Sequence, residues 1–348
     1  MSLIMSALDP NDPAREHLAF LSGSPERLAL LTELRDQLLS STELCERADV
    51  SSETAQKLLE TGIRCNWIAE DAVNECYELT TAGELIYQAY VGTQRLDRER
   101  LAFLITSATR LSVLECIEGD SLSAVELGNR LPADVSTVYR ALNILEDRGL
   151  LDWQNEPELT VAGKEVYNEY QSLVDTVGWI MAHAETLNHL GDVGETLPAE
   201  ALAQSGGNVI SNSMANPDAV LDHFETRIRA LSPERVRCVL PSMCAFIDRV
   251  GRPLLERGAE LEVVIDEAVL DVTRSLYPQA LSAVVDAESA ELLIHPEKLR
   301  FGLAILNGST FVFVYDEQSL VACLETTTEA LNSWATEVFR TRYRAARN

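Results

Sequence analysis

Lysine is nearly missing from this chain of 348 residues. Only three of its 28 basic residues are lysines, 55 residues are aspartate or glutamate, and the formal net charge is −27. Abundant carboxylates with so little lysine are typical of proteins from concentrated salt, where screening confines charge repulsion to a few ångströms. The acidity therefore indicates a halophilic solvent, and it does not by itself exclude an anionic partner.

Long hydrophobic runs are also missing. No stretch approaches the roughly 18 apolar residues of a membrane helix, and the first residues lack the basic start of a secretory signal. Hydrophobic residues nevertheless make up 46% of the chain, which favours folded domains over disorder. We expect a cytoplasmic protein of two or three domains with no membrane partner.

The seven cysteines form no CxxC pair, and their number is odd. A disulfide framework and a four-cysteine zinc site are therefore not expected. We predict small buried cysteines in a reducing compartment, with a metal- or redox-sensing pair as the alternative. His183 and His189 have no acidic or cysteine partner at ligand spacing, so no metal and no cofactor is predicted.

Catalytic signatures are missing as well. The chain has no GxSxG elbow, no GxxxxGK[ST] phosphate loop and no GxGxxG after a strand. His295 and Lys298 are three residues apart, whereas the HxK pair of phospholipase D-type enzymes needs a spacing of two. We predict that the protein is not an enzyme.

What the chain does contain is an internal repeat. Residues 24–44 match 107–127 at an offset of 83, and 78–90 match 158–170 at an offset of 80. Two matching blocks in the same order indicate a tandem duplication. The repeated unit, of roughly 80 residues, is near the lower end of domain size.

The second copy predicts a winged helix-turn-helix. Its apolar spacing and turn residues predict two short helices, a turn, a third helix and a two-stranded wing. Ser121 or Ser123 can cap the second helix, and Gly149 can end the third. The third helix has a predicted buried stripe of four residues: Val135, Val138, Leu142 and Leu145.

The opposite face of this third helix suits the major groove of DNA. Arg140 is the one charged side chain between residues 135 and 145, so the face is locally positive. Arginine can pair with guanine and asparagine with adenine, while small hydroxyls at the helix start can donate to phosphates. The predicted DNA-binding residues are Ser136, Thr137, Tyr139, Arg140 and Asn143. A helix-turn-helix used only for protein contacts is the alternative.

The first copy is less suited to DNA. Its third helix, 51–63, exposes Glu53 and Glu60 beside Gln56 and Lys57. A carboxylate near the start of the helix faces phosphate unfavourably, and the predicted wing tip is acidic as well. A degenerate copy that packs or dimerises is at least as well supported as one that reads bases.

After residue 205 the pattern changes to alternating strands and helices, which predicts an α/β sandwich with a mixed sheet. The predicted fold class is α+β, with two tandem winged helix-turn-helix domains followed by an α/β effector-type domain. Ligands of such sheets bind beyond the carboxyl ends of strands. Three residues at those ends form the predicted ligand site: Ser242, Asp266 and His295. Solvated loop positions are the alternative for these residues.

Four segments follow from these patterns. The first winged helix takes residues 1–95, the second takes 96–173, and a connecting helix and linker take 174–204. The effector or oligomerisation domain takes residues 205–348.

The segment 14–34, the second copy over 107–170 and the α/β half together resemble winged-helix transcriptional regulators of halophilic and methanogenic archaea. The chain is similar to the methanogenesis-regulator (FilR-type) group, with an analogy to TrmB-like sugar-responsive regulators. The resemblance implies DNA binding and an effector or oligomerisation role for the C-terminal part. The acidic third helix of the first copy departs from this pattern.

The sequence thus predicts a homodimeric, sequence-specific DNA-binding regulator of transcription. Its partners would be double-stranded DNA, a second copy of the chain and a small-molecule effector. A protein–protein adaptor on winged-helix scaffolds without DNA binding is the alternative. An enzyme on the α/β half is a third hypothesis, for which the missing motifs leave little support.

Overall fold

The protein was analysed as a computed structural model, which describes residues 12–35, 37–92, 98–120, 122–154, 156–205, 207–242, 246–317 and 319–347. Ser121, one of the two predicted cap residues, lies outside them. The chain forms two compact units. One contains the chain up to Leu79 together with Ile86–Ala182, and the other contains Thr80–Leu85 together with the chain from His183 onward.

The first unit holds two successive winged helix-turn-helix copies. The elements of the first copy are α1 (Pro13–Ser22), α2 (Pro25–Leu34), β1 (Leu39–Ser40), α3 (Ser41–Ala48), α4 (Ser52–Arg64), β2 (Ile68–Asp71), β3 (Cys76–Leu79) and α5 (Thr81–Gly92). The elements of the second copy are α6 (Arg98–Ile105), α7 (Ala108–Gly119), α8 (Ala124–Arg130), α9 (Val135–Asp147), β4 (Leu151–Asp152), β5 (Glu158–Leu159) and α10 (Val161–Ala182). Strands β1, β3 and β2 form one antiparallel wing, and β4 and β5 form the other.

The second helix of each helix-turn-helix begins with the same capping box. The Ser40 hydroxyl accepts from the backbone N–H of Glu43, and the Glu43 carboxylate accepts from the backbone N–H of Ser40. Ser123 and Glu126 repeat this exchange at the start of α8. Reciprocal pairing satisfies N–H groups that a helix start otherwise leaves without partners. The sequence offset of 83 is thus an equivalence of local structure.

The third helix of each copy ends in the same turn. Gly149 has a positive φ of 69° after α9, and Leu150 N–H donates to Leu145 O at 3.0 Å. Asn66 takes the same place after α4 with a φ of 59°, and Trp67 N–H donates to Gly62 O at 2.9 Å. Asparagine is the residue that tolerates this left-handed position best after glycine.

The same contact of an arginine with a phenylalanine ring links the first two helices of each copy. The Arg27 guanidinium lies 4.0 Å from the centre of the Phe20 ring, and Arg110 lies 4.3 Å from that of Phe103. Each arginine also donates to the backbone carbonyl of the phenylalanine that it covers. Both residues of each pair obey the offset of 83, so the two copies share contacts that reach from one helix to the next.

One residue of the predicted buried stripe was assigned wrongly. Val135 is 47% exposed, whereas Val138, Leu142 and Leu145 are fully buried. Val135 is the first residue of α9, where the helix has not yet reached the core, and its side chain lies over Gly128 of α8. Ala141, which the predicted stripe did not include, is buried as well.

A buried ion pair joins the two copies within the first unit. The Arg15 guanidinium of α1 lies 2.5 Å from a Glu115 carboxylate oxygen of α7, and the two side chains are 16% and 6% exposed. Gln171 of α10 donates to the same oxygen at 3.3 Å. Helix α10 runs unbroken from Val161 to Ala182, so the boundary predicted at residue 173 falls inside a helix.

The second unit is an α/β domain. Its helices are α11 (Ala184–Asn188), α12 (Asp192–Glu195), α13 (Ala199–Ser205), α14 (Ala219–Leu231), α15 (Arg252–Glu256), α16 (Glu267–Leu276), α17 (Pro278–Val285) and α18 (Glu329–Arg347). Its strands are β6 (Asn208–Ser211), β7 (Arg235–Val239), β8 (Glu260–Asp266), β9 (Ala290–His295), β10 (Phe301–Leu306), β11 (Ser309–Asp316) and β12 (Ser319–Thr326). A π-helical turn, Ile247–Gly251, precedes α15.

The seven strands form one mixed sheet in the order β6-β12-β11-β10-β7-β8-β9. Strands β7, β8 and β9 are parallel, and the remaining neighbours are antiparallel. Helices cover both faces. Val236 and Cys238 of β7 pack in a cluster with α14, while Arg237 between them points to the Phe339 ring of α18. The predicted fold class, two winged helices followed by an α/β domain with a mixed sheet, is confirmed.

Candidate nucleic-acid interface

The start of α9 is organised by a carboxylate. Asp134 is the N-cap, and its Oδ1 accepts from the Thr137 backbone N–H at 2.9 Å. The Thr137 hydroxyl donates to Oδ2 at 2.8 Å, and the Ser136 hydroxyl donates to Oδ1. Two of the five predicted DNA-binding side chains therefore donate to a group of their own chain. In this structure neither hydroxyl is free to donate to a phosphate.

These hydrogen bonds hold Asp134 in its charged form. The Ser136 hydroxyl, followed by the backbone N–H and hydroxyl of Thr137, lowers the pKa of Asp134 to about 2. A carboxylate at a helix N-terminus is stabilised by the helix dipole, which equally favours a bound phosphate. Asp134 thus occupies the position at the start of α9 that favours an anion.

Arg140 and Asn143 have free side chains on the exposed face of α9. Both residues are exposed, and within the described chain neither side chain makes a hydrogen bond or an ion pair. They are three residues apart on a helix, which places them on one face. A free guanidinium and a free amide at this spacing can reach the edges of neighbouring bases in a major groove.

Tyr139, the remaining predicted DNA-binding residue, contacts the wing. Its ring lies 5.5 Å from the ring of Trp153, centre to centre, and is only partly exposed. The wing is also fixed by Glu146 of α9, whose carboxylate accepts from the Trp153 backbone N–H at 3.2 Å. Trp153 and Asp134 are thus residues of this surface that the pattern of apolar positions did not single out.

The matching surface of the first copy is acidic and internally paired. Lys57 is the basic residue in the middle of α4, and its ammonium lies 2.8 Å from the Glu53 carboxylate. Gln56 donates to Glu60 at 2.8 Å. The N-cap is the neutral Ser51, whose hydroxyl accepts from Thr54 N–H at 3.2 Å. This surface offers DNA two carboxylates and a cation that is already paired.

The three predicted ligand-site residues of the α/β unit separate into two places. Asp266 and His295 are register partners at the ends of the parallel strands β8 and β9, and they are 4% and 2% exposed. The Asp266 carboxylate accepts from the backbone N–H groups of Val269 and Leu299, each at 2.9 Å. Asp266 therefore caps the start of α16 and fixes the segment that leads into β10. Ser242 lies beyond the end of β7 and lines a cavity to which neither of the other two contributes.

His295 has one unsatisfied nitrogen. Its Nδ1 accepts from Glu297 N–H at 3.1 Å, and its buried Nε2 has no partner in the described chain. Among the described residues no three histidine, cysteine or acidic side chains come together as metal ligands. The six described cysteines are free thiols, of which Cys116, Cys238 and Cys323 are buried. None of the described helices has the length and apolar character needed to cross a membrane.

Two family models match the chain by sequence. The HVO_A0261 N-terminal domain matches twice, over residues 15–100 and 98–181, and thus once for each winged helix. The middle domain of the methanogenesis regulatory protein FilR1 matches residues 217–346, which form most of the α/β unit. No curated protein sequence matches the chain.

Two solved structures are distantly similar to the chain. TrmBL2, described as an archaeal chromatin protein with a novel mode of DNA binding, is 12% identical, with 72% of this chain and 99% of that chain covered and a TM-score of 0.32. The O-methyltransferase NcsB1 is 16% identical over 54% of this chain and 62% of its own, with a TM-score of 0.18. With two HVO_A0261-type domains followed by a FilR1 middle domain, the chain belongs to the FilR-type family of regulatory proteins.

Proposed function

We propose that this regulator binds double-stranded DNA sequence-specifically through α9 of the second winged helix and thereby controls transcription. The observation that carries the proposal is the exposed face of α9, where Arg140 and Asn143 are free of partners in the described chain. Arg140 and Asn143 are also the positions at which α9 differs from α4, where Lys57 and Glu60 are already paired.

The roles of the α9 residues differ. Arg140 reads a base edge, best a guanine, and Asn143 reads an adenine. Ser136 and Thr137 contact phosphate only when they release Asp134, and Tyr139 positions the wing through Trp153. Direct hydrogen bonds to bases then supply more of the affinity than charge does. This suits a halophilic cytoplasm, since counterion release weakens steeply as salt rises.

The first copy has a supporting role in this proposal. In this proposal the two winged helices arose by tandem duplication, and the paired acidic surface of α4 supports packing or protein contacts for the first copy. The adaptor function, without DNA, is favoured by this copy alone. Chromatin immunoprecipitation that enriches no genomic site would extend the adaptor role to the whole protein.

The α/β unit is proposed to sense a small molecule and to form the dimer, with no catalytic reaction assigned to it. Apolar side chains on α16 and α17 are exposed, among them Val272 at 45%, Leu276 at 65% and Val285 at 61%. Exposed apolar groups that lie together are typical of contact surfaces. A homodimer would place two α9 helices on the two half-sites of an operator, and light scattering of the free protein measures the association. The domain boundaries at residues 95, 173 and 204 remain part of this proposal.

The DNA-binding proposal predicts that Arg140 contributes to the affinity for promoter DNA and that Lys57 does not. Fluorescence anisotropy with genomic promoter fragments in molar KCl compares wild type, Arg140→Ala and Lys57→Ala. Loss of a base contact of the Arg140 type weakens specific binding by roughly 10- to 100-fold, since a bidentate pair contributes about 1–3 kcal/mol. Lys57→Ala, the matched position of the first copy, is expected to bind like wild type. Equal binding by all three proteins would remove α9 from the DNA interface.

A further inference from the structure

The α/β unit contains a cavity of about 270 Å³ beside the end of β7. Its walls come from the first turns of α14, the residues that follow β7, and strands β11 and β12. Phe224, Phe246 and Phe313 form an aromatic wall, in which Phe224 meets the Phe313 ring edge to face at 4.9 Å and stacks on Phe246 at 6.0 Å. An apolar cavity of about 150 Å³ holds a benzene ring, so this one has room for a ring with a substituent.

One polar group inside the cavity has no partner. Tyr315 is only 8% exposed, lines the cavity, and its hydroxyl makes no hydrogen bond to any described residue. A buried phenol normally finds a partner, because leaving the hydroxyl unpaired costs stability. Burial raises the pKa of Tyr315, so the group is a neutral phenol that donates one hydrogen bond. The Tyr315 hydroxyl faces the cavity and has no acceptor in the described chain, so an acceptor of a bound ligand can take its hydrogen bond.

A glycine on the neighbouring strand leaves room for the Tyr315 ring. Gly302 of β10 has no side chain, and a Cβ there would lie 3.1 Å from the Tyr315 ring and 2.9 Å from Phe313. The pairing of β11 with β12 shifts register between Val314 and Tyr315, with Val321 of β12 as the extra residue. Tyr315 keeps the alternation of its own strand, since Phe311, Phe313 and Tyr315 pack in the same cluster.

The remaining polar groups of the cavity define the charge of a suitable ligand. Asn212 is used by the fold, since its amide accepts from Val220 N–H at 3.0 Å and donates to Leu320 O at 2.7 Å. Ser242 and Asp218 make no side-chain hydrogen bond or ion pair within the described chain. Asp218 is the one charged residue among the described lining residues. An anion would therefore lose its hydration beside a carboxylate and gain no cation in return.

We propose that this cavity is the effector site of the regulator, and that it takes a small aromatic or branched aliphatic molecule with a hydrogen-bond acceptor and no negative charge. The acceptor binds the Tyr315 hydroxyl, the apolar part lies against the phenylalanine wall, and a neutral or cationic head faces Ser242 and Asp218. The effector role rests on the proposed function as a regulator. Asp266 and His295, predicted as ligand residues, have no part in it.

The test uses the full-length protein without DNA. 4-(Dimethylamino)benzonitrile, a neutral fluorescent probe with one ring and an acceptor nitrile, reports occupancy, and benzyl alcohol, benzylamine and benzoate compete for it with one ring and three different charges. We expect benzyl alcohol and benzylamine to displace the probe. Benzoate should be at least about tenfold weaker, because a buried carboxylate without a partner is unfavourable. Benzoate that competes as well as benzyl alcohol would overturn the proposed ligand class.

Four variants locate the site. Leu221→Trp and Ser242→Phe fill the cavity from its wall and from its partly exposed rim, and both should abolish probe binding. Val73→Trp, on a side chain of the first winged helix that is 91% exposed, is the matched control and should bind like wild type. Tyr315→Phe keeps the ring and should weaken benzyl alcohol by about three- to tenfold, the effect of one hydrogen bond. Circular dichroism verifies that each variant is folded.

The outcomes separate this site from the DNA-binding proposal. Wild-type probe binding by both cavity-filling variants would overturn the site itself. A protein that binds promoter DNA through Arg140 but none of the three competitors would overturn the site and leave the DNA interface intact. A protein that binds benzyl alcohol in the cavity, with no effect of that ligand on promoter binding, would overturn the effector role.

Discussion

Helix α4 of the first winged helix and helix α9 of the second begin and end alike and differ in what they show to solvent. Both have an N-cap side chain, a buried face and a left-handed residue that ends them, Asn66 in one and Gly149 in the other. On α4 the exposed carboxylates of Glu53 and Glu60 are paired with Lys57 and Gln56, whereas Arg140 of α9 has no partner in the described chain. The shared features serve the folding of the helix, and the clearest differences lie on its exposed face.

The comparison shows how one scaffold can hold two surfaces. Caps, turns and buried residues are constrained by the backbone they satisfy. Exposed residues of a helix are constrained only by what binds them, and most substitutions there change stability by less than about 0.5 kcal/mol. The surfaces of the two copies can therefore differ while their capping boxes and arginine–phenylalanine contacts are the same. Function must be argued from the surface of each copy separately.

The largest effect on stability is expected at a contact between the two copies. Arg15 of the first copy faces Glu115 of the second, and the position matching Glu115 in the first copy is Thr32. Glu115→Ala removes a buried carboxylate opposite a guanidinium and should destabilise the protein by about 3 kcal/mol. Urea unfolding of the full chain measures it. Lys57→Ala, which breaks an exposed pair of the same kind, should cost less than about 0.5 kcal/mol.

The pH dependence of the same pair gives a finer test. Burial raises the pKa of Glu115 by more than the hydrogen bonds of Arg15 and Gln171 lower it. A raised pKa contributes stability below the pKa of the unfolded chain, and this contribution is lost as pH rises through the folded value. Glu115→Gln should thus be tolerated better than Glu115→Ala. Wild type should lose stability relative to the glutamine variant as pH rises. If the difference in unfolding free energy between wild type and Glu115→Gln stayed constant as pH rises, burial would not be what raises the pKa of Glu115.

Local rules explain how much of this structure could be predicted. The capping box of Ser123 and Glu126, the end of α9 at Gly149 and the strands of the α/β half each depend on a few neighbouring residues. These features are readable from sequence. The first residue of α9 was misjudged, because helical spacing alone cannot tell where a helix enters the core. That Val135 lies over Gly128 depends on how α8 and α9 pack.

Distant contacts explain what could not be predicted. Arg15 and Glu115 are 100 residues apart, and no rule of spacing joins them. The strand order places β6 beside β12 and β10 beside β7, so the walls of the cavity come from segments between residues 212 and 320. Ser242 was predicted from its position after a strand, but Tyr315 lies inside a strand and nothing local marks its hydroxyl as unpaired. The Asp134 hydrogen bonds, by contrast, were within reach of the sequence, since Asp-Val-Ser-Thr is a typical helix start.

Giving α9 the surface residues of α4 should weaken DNA binding, whereas giving α4 the surface residues of α9 should not change it. Ser136→Glu with Asn143→Glu gives α9 the carboxylates that α4 has at the matching positions. It should weaken promoter binding by at least about 100-fold, through repulsion from phosphate and loss of a base contact. The reciprocal change, Glu53→Ser with Glu60→Asn, should leave binding within about twofold, because α4 is not at the interface. Anisotropy in molar KCl measures both. A tenfold gain from the reciprocal change would show that the first copy faces DNA.

The smallest effect concerns the N-caps. Asp134→Ser gives α9 the neutral cap that Ser51 provides for α4. Serine caps helices as well as aspartate does, so α9 should stay folded while the Ser136 and Thr137 hydroxyls are freed. We expect promoter affinity to rise by about threefold, with a salt dependence steeper by roughly one phosphate contact. Unchanged affinity and unchanged salt dependence would show that no phosphate approaches the start of α9.

The same variant separates the caps by their response to acid. Asp134 has its pKa lowered to about 2 in the folded protein, against about 3.9 for a free aspartate. A lowered pKa contributes stability above the unfolded value, and the contribution is lost as pH falls through the folded one. Acid should therefore weaken the cap of α9 between about pH 4 and pH 2 and leave the serine cap of α4 unaffected. Asp134→Ser should flatten the acid limb of the stability curve, measured by urea unfolding at each pH. An unchanged limb would mean that the two hydroxyls do not hold the carboxylate in solution, and that both copies begin their third helix with the same strength.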